Sequence, residues 1–380
     1  MRGSHPAKSW RSADGTAGRT APGRGRRLIG GALRGVLAIA VALVVLEVTA
    51  RLVVSSDLLA ERVCRMSDAA WRLDWIDRHR DGVEVYYSFD VYHPTRGWAL
   101  KPNLRDADPY GPGSLNSNSA GMRGVREFSE QPSSGTTRIL LLGDSFAFGE
   151  EVADHETFAC RLQEILPGVE VLNLGVHGYG HDQMLAYLRE EGLRYHPDIV
   201  IVGFVQDDME RNMLEFRDYA KPRFELVDGA LVLRNSPVPA PGEMLARERY
   251  RSRFLDLVDM VHQATLWRSG VNQRQMEAVT AALLDEIARE SDAAGAATAF
   301  FYLPHSEELT NPDLTLDAER FFTNYCDERD ALCLNLRPSF QRRMAQGLAV
   351  KTPGHWHGSG HQLVAEELSS FLAASRLLPS

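Results

Sequence analysis

The chain has 380 residues, 44% of them hydrophobic and 24% charged, a globular composition long enough for one large or two average domains. Its net charge of −9 is unevenly placed: residues 1–27 hold seven Lys/Arg against one acid, Asp14, and the other 35 basic and 50 acidic residues give the body about −15. A body this acidic excludes nucleic acid as a partner. The four cysteines are too few for a disulfide scaffold and have no ligand spacing with histidine, so no metal and no cofactor is expected.

Residues 1–27, rich in Gly, Ser and Pro, read as a disordered basic cytoplasmic tail. Leu28 to Val54 is apolar except for Arg34, Glu47 and Arg51, and is long enough to span a bilayer. Arg34 can snorkel to the basic side, while Glu47 and Arg51 can pair at i, i+4. The basic flank predicts a single-pass signal anchor in the cell membrane, with the N-terminus cytoplasmic and the C-terminal body periplasmic or extracellular. Segment 55–135 reads as a juxtamembrane helix, with Trp71, Leu73 and Trp75 close together, followed by a loop-rich stretch. The helix suits either the membrane surface or a stalk packed on the body.

From 136 to 380 strands and helices alternate. Apolar runs predict strands at 138–142, 169–174, 199–204, 297–303 and 331–336. Helical periodicity falls at 157–166, 182–195, 274–294 and 317–329, with a last helix after Ser359. The fold class is therefore α/β: a doubly wound, flavodoxin-like parallel sheet of about five strands in an α/β/α sandwich, preceded by one transmembrane helix. Residues 219–272 break the alternation. Phe224 to Leu233 alternates around Asp228-Gly229, a hairpin signal, and a charged helix starts at Met244. This insertion reads as a lid, a substrate wall or a surface elaboration.

Four blocks carry the chemistry. Gly143-Asp144-Ser145-Phe146 closes the first apolar strand, placing Ser145 on a tight turn at the sheet's carboxyl edge, where ligands bind in open α/β sheets. Asn173-Leu174-Gly175-Val176-His177-Gly178-Tyr179-Gly180 is a second strand running into a glycine-rich turn. Gly203-Phe204 leads to Gln206-Asp207-Asp208, and Gly354-His355-Trp356-His357-Gly358-Ser359-Gly360-His361 precedes the last helix. A serine nucleophile needs a base in hydrogen-bond reach and donors for an oxyanion, and the fold can bring the base from anywhere in the sequence.

Together these blocks resemble the SGNH/GDSL hydrolase family, specifically its membrane-anchored bacterial branch, over roughly residues 85–375. Gly97-Trp98-Ala99-Leu100-Lys101-Pro102-Asn103 and Asn118-Ser119-Ala120-Gly121-Met122-Arg123-Gly124 look like that branch's upstream segments. The resemblance implies Ser145 as nucleophile and His355 as base, with the N–H groups of Ser145 and Gly175 in an oxyanion hole. Asp207 corresponds best to the family's oxyanion-hole Asn, where an ionised carboxylate cannot donate. The family's acid two or three residues before the histidine is absent, since those positions are Pro353 and Thr352. Asp144 reads as support for the site, and His361 as the fallback base.

Other residues carry blander readings. His177 either touches substrate or is an exposed loop histidine, and Asp207-Asp208 reads as turn chemistry before a helix from Met209 to Phe216. Glu150 and Glu151 read as solvated. Cys326 and Cys333 are seven apart across a turn, and either pair or, the preferred reading, serve as two small buried hydrophobes. The resemblance implies ester chemistry on acylated surface carbohydrate or small esters, by hydrolysis or acyl transfer. The alternatives are a silent SGNH-fold module that grips a glycan, and a scaffold in polysaccharide assembly. Protein partners are not specified by the sequence.

Overall fold

The computed structural model describes residues 24–54, 67–79, 88–111, 114–311, 317–347, 349 and 354–378. The tail before Arg24, the 55–66 part of the expected juxtamembrane helix, and Thr352 and Pro353 lie outside the described residues. Two short strands come first: β1 (Asp90–His93) pairs antiparallel with β2 (Gly97–Leu100). The central sheet is built from β3 (Thr137–Gly143), β4 (Val169–Gly175) and β5 (Ile199–Phe204), then β8 (Ala297–Tyr302) and β9 (Leu332–Asn335). Between β5 and β8 the chain forms the hairpin β6 (Arg223–Val227) and β7 (Ala230–Arg234) around Asp228-Gly229.

The sheet is wholly parallel in the order β4-β3-β5-β8-β9. Counting only its own strands this is 2-1-3-4-5, the doubly wound order in which the winding direction reverses between the first and third strands. Side chains alternate across each strand. Leu140, Leu142, Leu172, Leu174, Val200 and Val202 pack on one face with Leu188, Leu283 and Ile287. Ile139, Leu141, Val171, Ile199 and Ile201 pack on the other with Phe158, Leu162, Val364 and Leu368. Both faces are therefore covered by helices, which is why the strands read as continuous apolar runs rather than as alternation.

Two glycines let the first helix after β3, Ser145–Phe148, lie against the strand ends. They are neighbours in register, Gly143 opposite Gly175. A Cβ on Gly143 would stand 2.4 Å from Ala147 Cβ, and one on Gly175 2.4 Å from the backbone nitrogen of Phe148. The turn that carries Ser145 is thus pressed onto β4 by the absence of side chains.

The N-terminal helix runs from Arg24 to Val54, and its stretch Gly31–Val54 is 24 residues long and apolar enough to cross a membrane. Residues 31–46 are exposed. Near its end Glu47 pairs with Arg51 at 2.7 Å, as the spacing suggested. Glu47 also accepts hydrogen bonds from Ser252 Oγ and from the N–H groups of Arg253 and Phe254 at 2.7–3.1 Å. It thereby caps helix Arg253–Arg268 of the insertion. That helix also contacts helices Asp68–Arg78 and Val271–Ala293, so this part of the insertion joins the N-terminal helix to the body. Of the expected juxtamembrane helix, Asp68–Arg78 is observed and packs on the body: Trp75 is buried, with its ring 5.5 Å from that of Phe216. Arg72, buried, pairs with Glu248 and Asp256 at 2.6 Å each.

Cys326 and Cys333 form a disulfide, which corrects the preferred reading of two unpaired hydrophobes. The helix expected over Met209–Phe216 instead spans Gln206–Arg211. Asp208 Oδ2 accepts the Val205 N–H at 3.1 Å, which starts the helix early and puts both aspartates in its first turn.

Gly175→Ala should overpack the contact between β4 and the Ser145 turn. A loss of about 1–3 kcal/mol is expected, read as a lower midpoint in thermal or urea unfolding.

Candidate active site

Ser145 is the first residue of helix Ser145–Phe148, directly beyond β3. Asp144 caps that helix, with Oδ1 accepting the Phe146 N–H at 3.0 Å. The structure brings Ser145 and His355 together across 210 residues, with Ser145 Oγ and His355 Nε2 2.9 Å apart. His355 arrives on the loop before helix Gly358–Ala374, and its ring leans on Phe146 at 4.8 Å between centroids. Trp356 behind it is buried against Phe146 and Phe340. This apolar wedge holds the loop to the Ser145 turn.

His361 is not placed as a base. It is buried, stacks on Phe158, and its Nδ1 accepts the Phe158 N–H at 3.3 Å. Burial pushes its pKa down to about 3, with Arg123 and His355 adding to the effect, so it is a neutral core residue.

The two positions that the resemblance sets beside Ser145 in an oxyanion hole are committed elsewhere. The Gly175 N–H donates to Asn173 Oδ1 at 2.9 Å, and Asn173 Nδ2 in turn donates to the Ala147 carbonyl at 3.0 Å. The glycine serves packing and its amide belongs to this local turn. Asp207 accepts from Arg211 at 3.3 Å, and His305 Nε2 lies 3.9 Å from its other oxygen. Burial raises its pKa, but Arg211, His305, Arg217 and His355 together outweigh that and hold it below the ordinary carboxylate range. It therefore stays ionised and has no proton to donate.

Arg211 escaped the sequence reading. Its guanidinium is buried and bridges Asp144 Oδ2 and Asp208 Oδ1 at 2.8 Å each, and it donates to the Tyr179 carbonyl at 3.1 Å. Asp144 follows β3, Tyr179 follows β4 and Asp208 follows β5, so one side chain ties three strand ends. Its three carboxylates raise its pKa against the effect of burial. Asp208 moves upward, chiefly from burial and then from Asp144. No arginine at this spacing is a motif, and only its i−3 and i−4 aspartates hinted at it.

The loop after helix Ser145–Phe148 is fastened by Arg123 of the second upstream segment. It is buried and donates to the carbonyls of Phe148, Gly149, Val152 and Ser114, and to Asp154. Glu150, half-buried, and Glu151, solvent-exposed as the sequence reading expected, also face His355 at 3.8 and 3.5 Å.

His177 is neither exposed nor a free loop residue. It is buried, and its Nε2 lies 2.8 Å from Asp90 Oδ2, which also accepts from Tyr219 at 3.0 Å. Trp98 of the first upstream segment donates to the His177 carbonyl at 3.0 Å. Burial alone would lower the pKa of His177. Asp90, by charge and hydrogen bond, with Glu150 and Asp218 further off, raises it to about 9. The described residues contain no group of three or more His, Cys, Asp or Glu side chains fit to hold a metal ion.

No family model and no curated protein matches the chain. Among solved structures it is similar to a lipolytic protein of the G-D-S-L family from Desulfitobacterium hafniense DCB-2, at 13% identity and TM-score 0.35, covering 62% of this chain and 100% of that one. It is also similar to the esterase EstA from Pseudoalteromonas sp., at 16% identity and TM-score 0.36, covering 63% and 98%. An acetyl xylan esterase, AlAXEase, is similar at 11% identity and TM-score 0.37, covering 61% and 98%. Identities and TM-scores this low leave function to be argued from the site's own geometry.

The His177–Asp90 pair ties stability to pH. A histidine whose pKa rises on folding stabilises fully below its unfolded value near 6.5, and that contribution is lost as pH rises through about 9. Wild type should therefore lose on the order of 2–3 kcal/mol relative to His177→Gln between pH 6.5 and 9, measured by urea unfolding at a series of pH values.

Proposed function

We propose that the chain is a membrane-anchored serine hydrolase of SGNH type that cleaves esters, with O-acyl groups of surface carbohydrate or small esters as the substrate class. The single observation that carries this reading is the 2.9 Å contact between Ser145 Oγ and His355 Nε2, at the carboxyl end of the sheet beside its switch point. Nothing in the apolar packing requires a histidine to cross 210 residues and meet a serine there.

In the proposed reaction His355 Nε2 takes the Ser145 hydroxyl proton as Oγ attacks the ester carbonyl. The tetrahedral oxyanion is met by the Ser145 N–H, which has no acceptor inside its own helix because it stands at the first position. Collapse breaks the acyl C–O bond, and His355 returns the proton to the departing alcohol. Water, or an acceptor hydroxyl in acyl transfer, then attacks the acyl-serine with His355 again as base. Asp144 serves the nucleophile by capping its helix, and Asp207 serves Arg211 rather than the oxyanion.

A second reading has its own support. With the Gly175 N–H taken and Asp207 anionic, the oxyanion is left with fewer donors than the family resemblance implies. That favours an SGNH-fold module which binds acylated glycan without cleaving it. A fluorophosphonate probe separates the two, since only an activated serine is phosphonylated. Under the hydrolase reading wild type labels, Ser145→Ala does not, and His355→Ala labels at least about 10²-fold more slowly. A wild-type protein that never labels supports the binding module.

The anchor reading rests on the exposed apolar helix Gly31–Val54, the basic residues before it, and the Cys326–Cys333 disulfide, a bond suited to an oxidising compartment. Protease added to intact spheroplasts should digest the body beyond Val54. Protection until lysis would reverse the proposed orientation.

A further inference from the structure

The sequence positions from which an acid would orient the imidazole, Thr352 and Pro353, carry no carboxylate. The structure offers one from another direction. Nε2 of His355 faces Ser145 Oγ at 2.9 Å, and its other ring nitrogen, Nδ1, faces Glu151 Oε1 at 3.5 Å. Glu150 lies 3.8 Å from Nε2, the nitrogen already engaged by the serine. The two glutamates therefore differ in what they can do. A carboxylate at Nδ1 selects the tautomer that leaves Nε2 free to accept a proton, whereas one beside Nε2 adds only charge.

The position of Glu151 is built rather than incidental. Its backbone adopts a left-handed φ of 68°, uncommon for a residue with a side chain. The carbonyls of Gly149, two residues before it, and Val152, the residue after it, are both held by the buried guanidinium of Arg123, at 2.5 Å each. On the opposite side the chain carries Gly354 immediately before the histidine, with φ 110°. A Cβ there would stand 3.2 Å from Glu151 Oε1, so a larger residue would press on the carboxylate. Glycine at 354 and arginine at 123, both singled out in sequence blocks without a role, thus converge on one side chain.

We infer that Glu151 is the acid that orients His355, supplied from the nucleophile's own loop instead of from the residues before the histidine. It is a positioning residue, acting on the imidazole and not on substrate. The inference rests on the proposed Ser145–His355 pair, and it makes the missing upstream acid a relocation rather than a loss.

The test uses the full chain in detergent, with ¹⁵N-histidine labelling and a fluorophosphonate probe. Glu151→Gln should remove the downfield Nδ1–H resonance of His355 and slow phosphonylation of Ser145 by about 10-fold or more, with the thermal midpoint unchanged. Glu150→Gln should leave the resonance in place and cost much less rate. Glu151→Asp, which keeps the charge one methylene short, should retain the resonance and recover part of the rate, and it carries the test if the Gln variant fails to fold. An unchanged resonance in Glu151→Gln, equal losses in the Asp and Gln variants, or a larger effect from Glu150→Gln would overturn the inference. If wild type is never phosphonylated the hydrolase reading fails, and the resonance alone then decides the role of Glu151.

Discussion

The buried guanidinium of Arg211 is the interaction on which the site depends. Three neighbouring strands of the sheet end nearly level, but run into unrelated turns. Arg211 reaches Asp144 after β3, the Tyr179 carbonyl after β4 and Asp208 after β5. A buried cation of this kind is tolerable only with carboxylates at close range, which Arg211 meets through its two terminal nitrogens. The converse also holds, since Asp144 and Asp208 are buried carboxylates that would repel one another without it. The cluster is therefore all-or-none, and it defines the turn on which Ser145 stands. Breaking one partner of such a set costs roughly 3–5 kcal/mol in comparable buried pairs.

A second cation, Arg123, does for the loop after Ser145 what Arg211 does for the turn before it. Its guanidinium satisfies four backbone carbonyls that would otherwise be buried without donors. Between the two arginines the helix Ser145–Phe148, only four residues long, has little freedom. The chain's own charges thus fix the turn of Ser145, and the packing of His355 and Trp356 on Phe146 brings the imidazole to the hydroxyl. The two upstream segments gain a physical role here. Trp98 packs on Tyr179 and Tyr219 and donates to the His177 carbonyl, which closes the glycine-rich turn after β4.

The insertion after β5 has a different task. Its second helix is capped by Glu47 of the N-terminal helix, and the insertion's Glu248 and Asp256 hold Arg72 of the stalk helix. An acid near the end of an apolar helix is costly in lipid but well placed at its edge, where it can meet N–H groups of another element. The body is thereby attached to the N-terminal helix through side chains as well as through the connecting chain.

The strands, their order along the chain and most of the helices were legible because burial on both faces leaves a local signature, a short apolar run closed by glycine. Five predicted strands lie within about a residue of the observed ones, and the hairpin around Asp228-Gly229 follows from turn chemistry that four residues contain. Ser145 and His355 were legible as candidates for the same reason, since each sits in a recognisable local block. Partnership between distant side chains has no such signature. Whether the Gly175 amide is free depends on where Asn173 turns, and whether His177 is charged depends on Asp90, 87 positions away. Glu151 is the surface glutamate it looked like, but nothing local records that a loop held by Arg123 would carry it to the loop of Gly354 and His355. The sequence by itself determined the periodicities and the turns, which are properties of neighbours in the chain. Only the tertiary structure decided which polar groups are satisfied by which, because the low dielectric of the interior makes each choice depend on every other group buried with it.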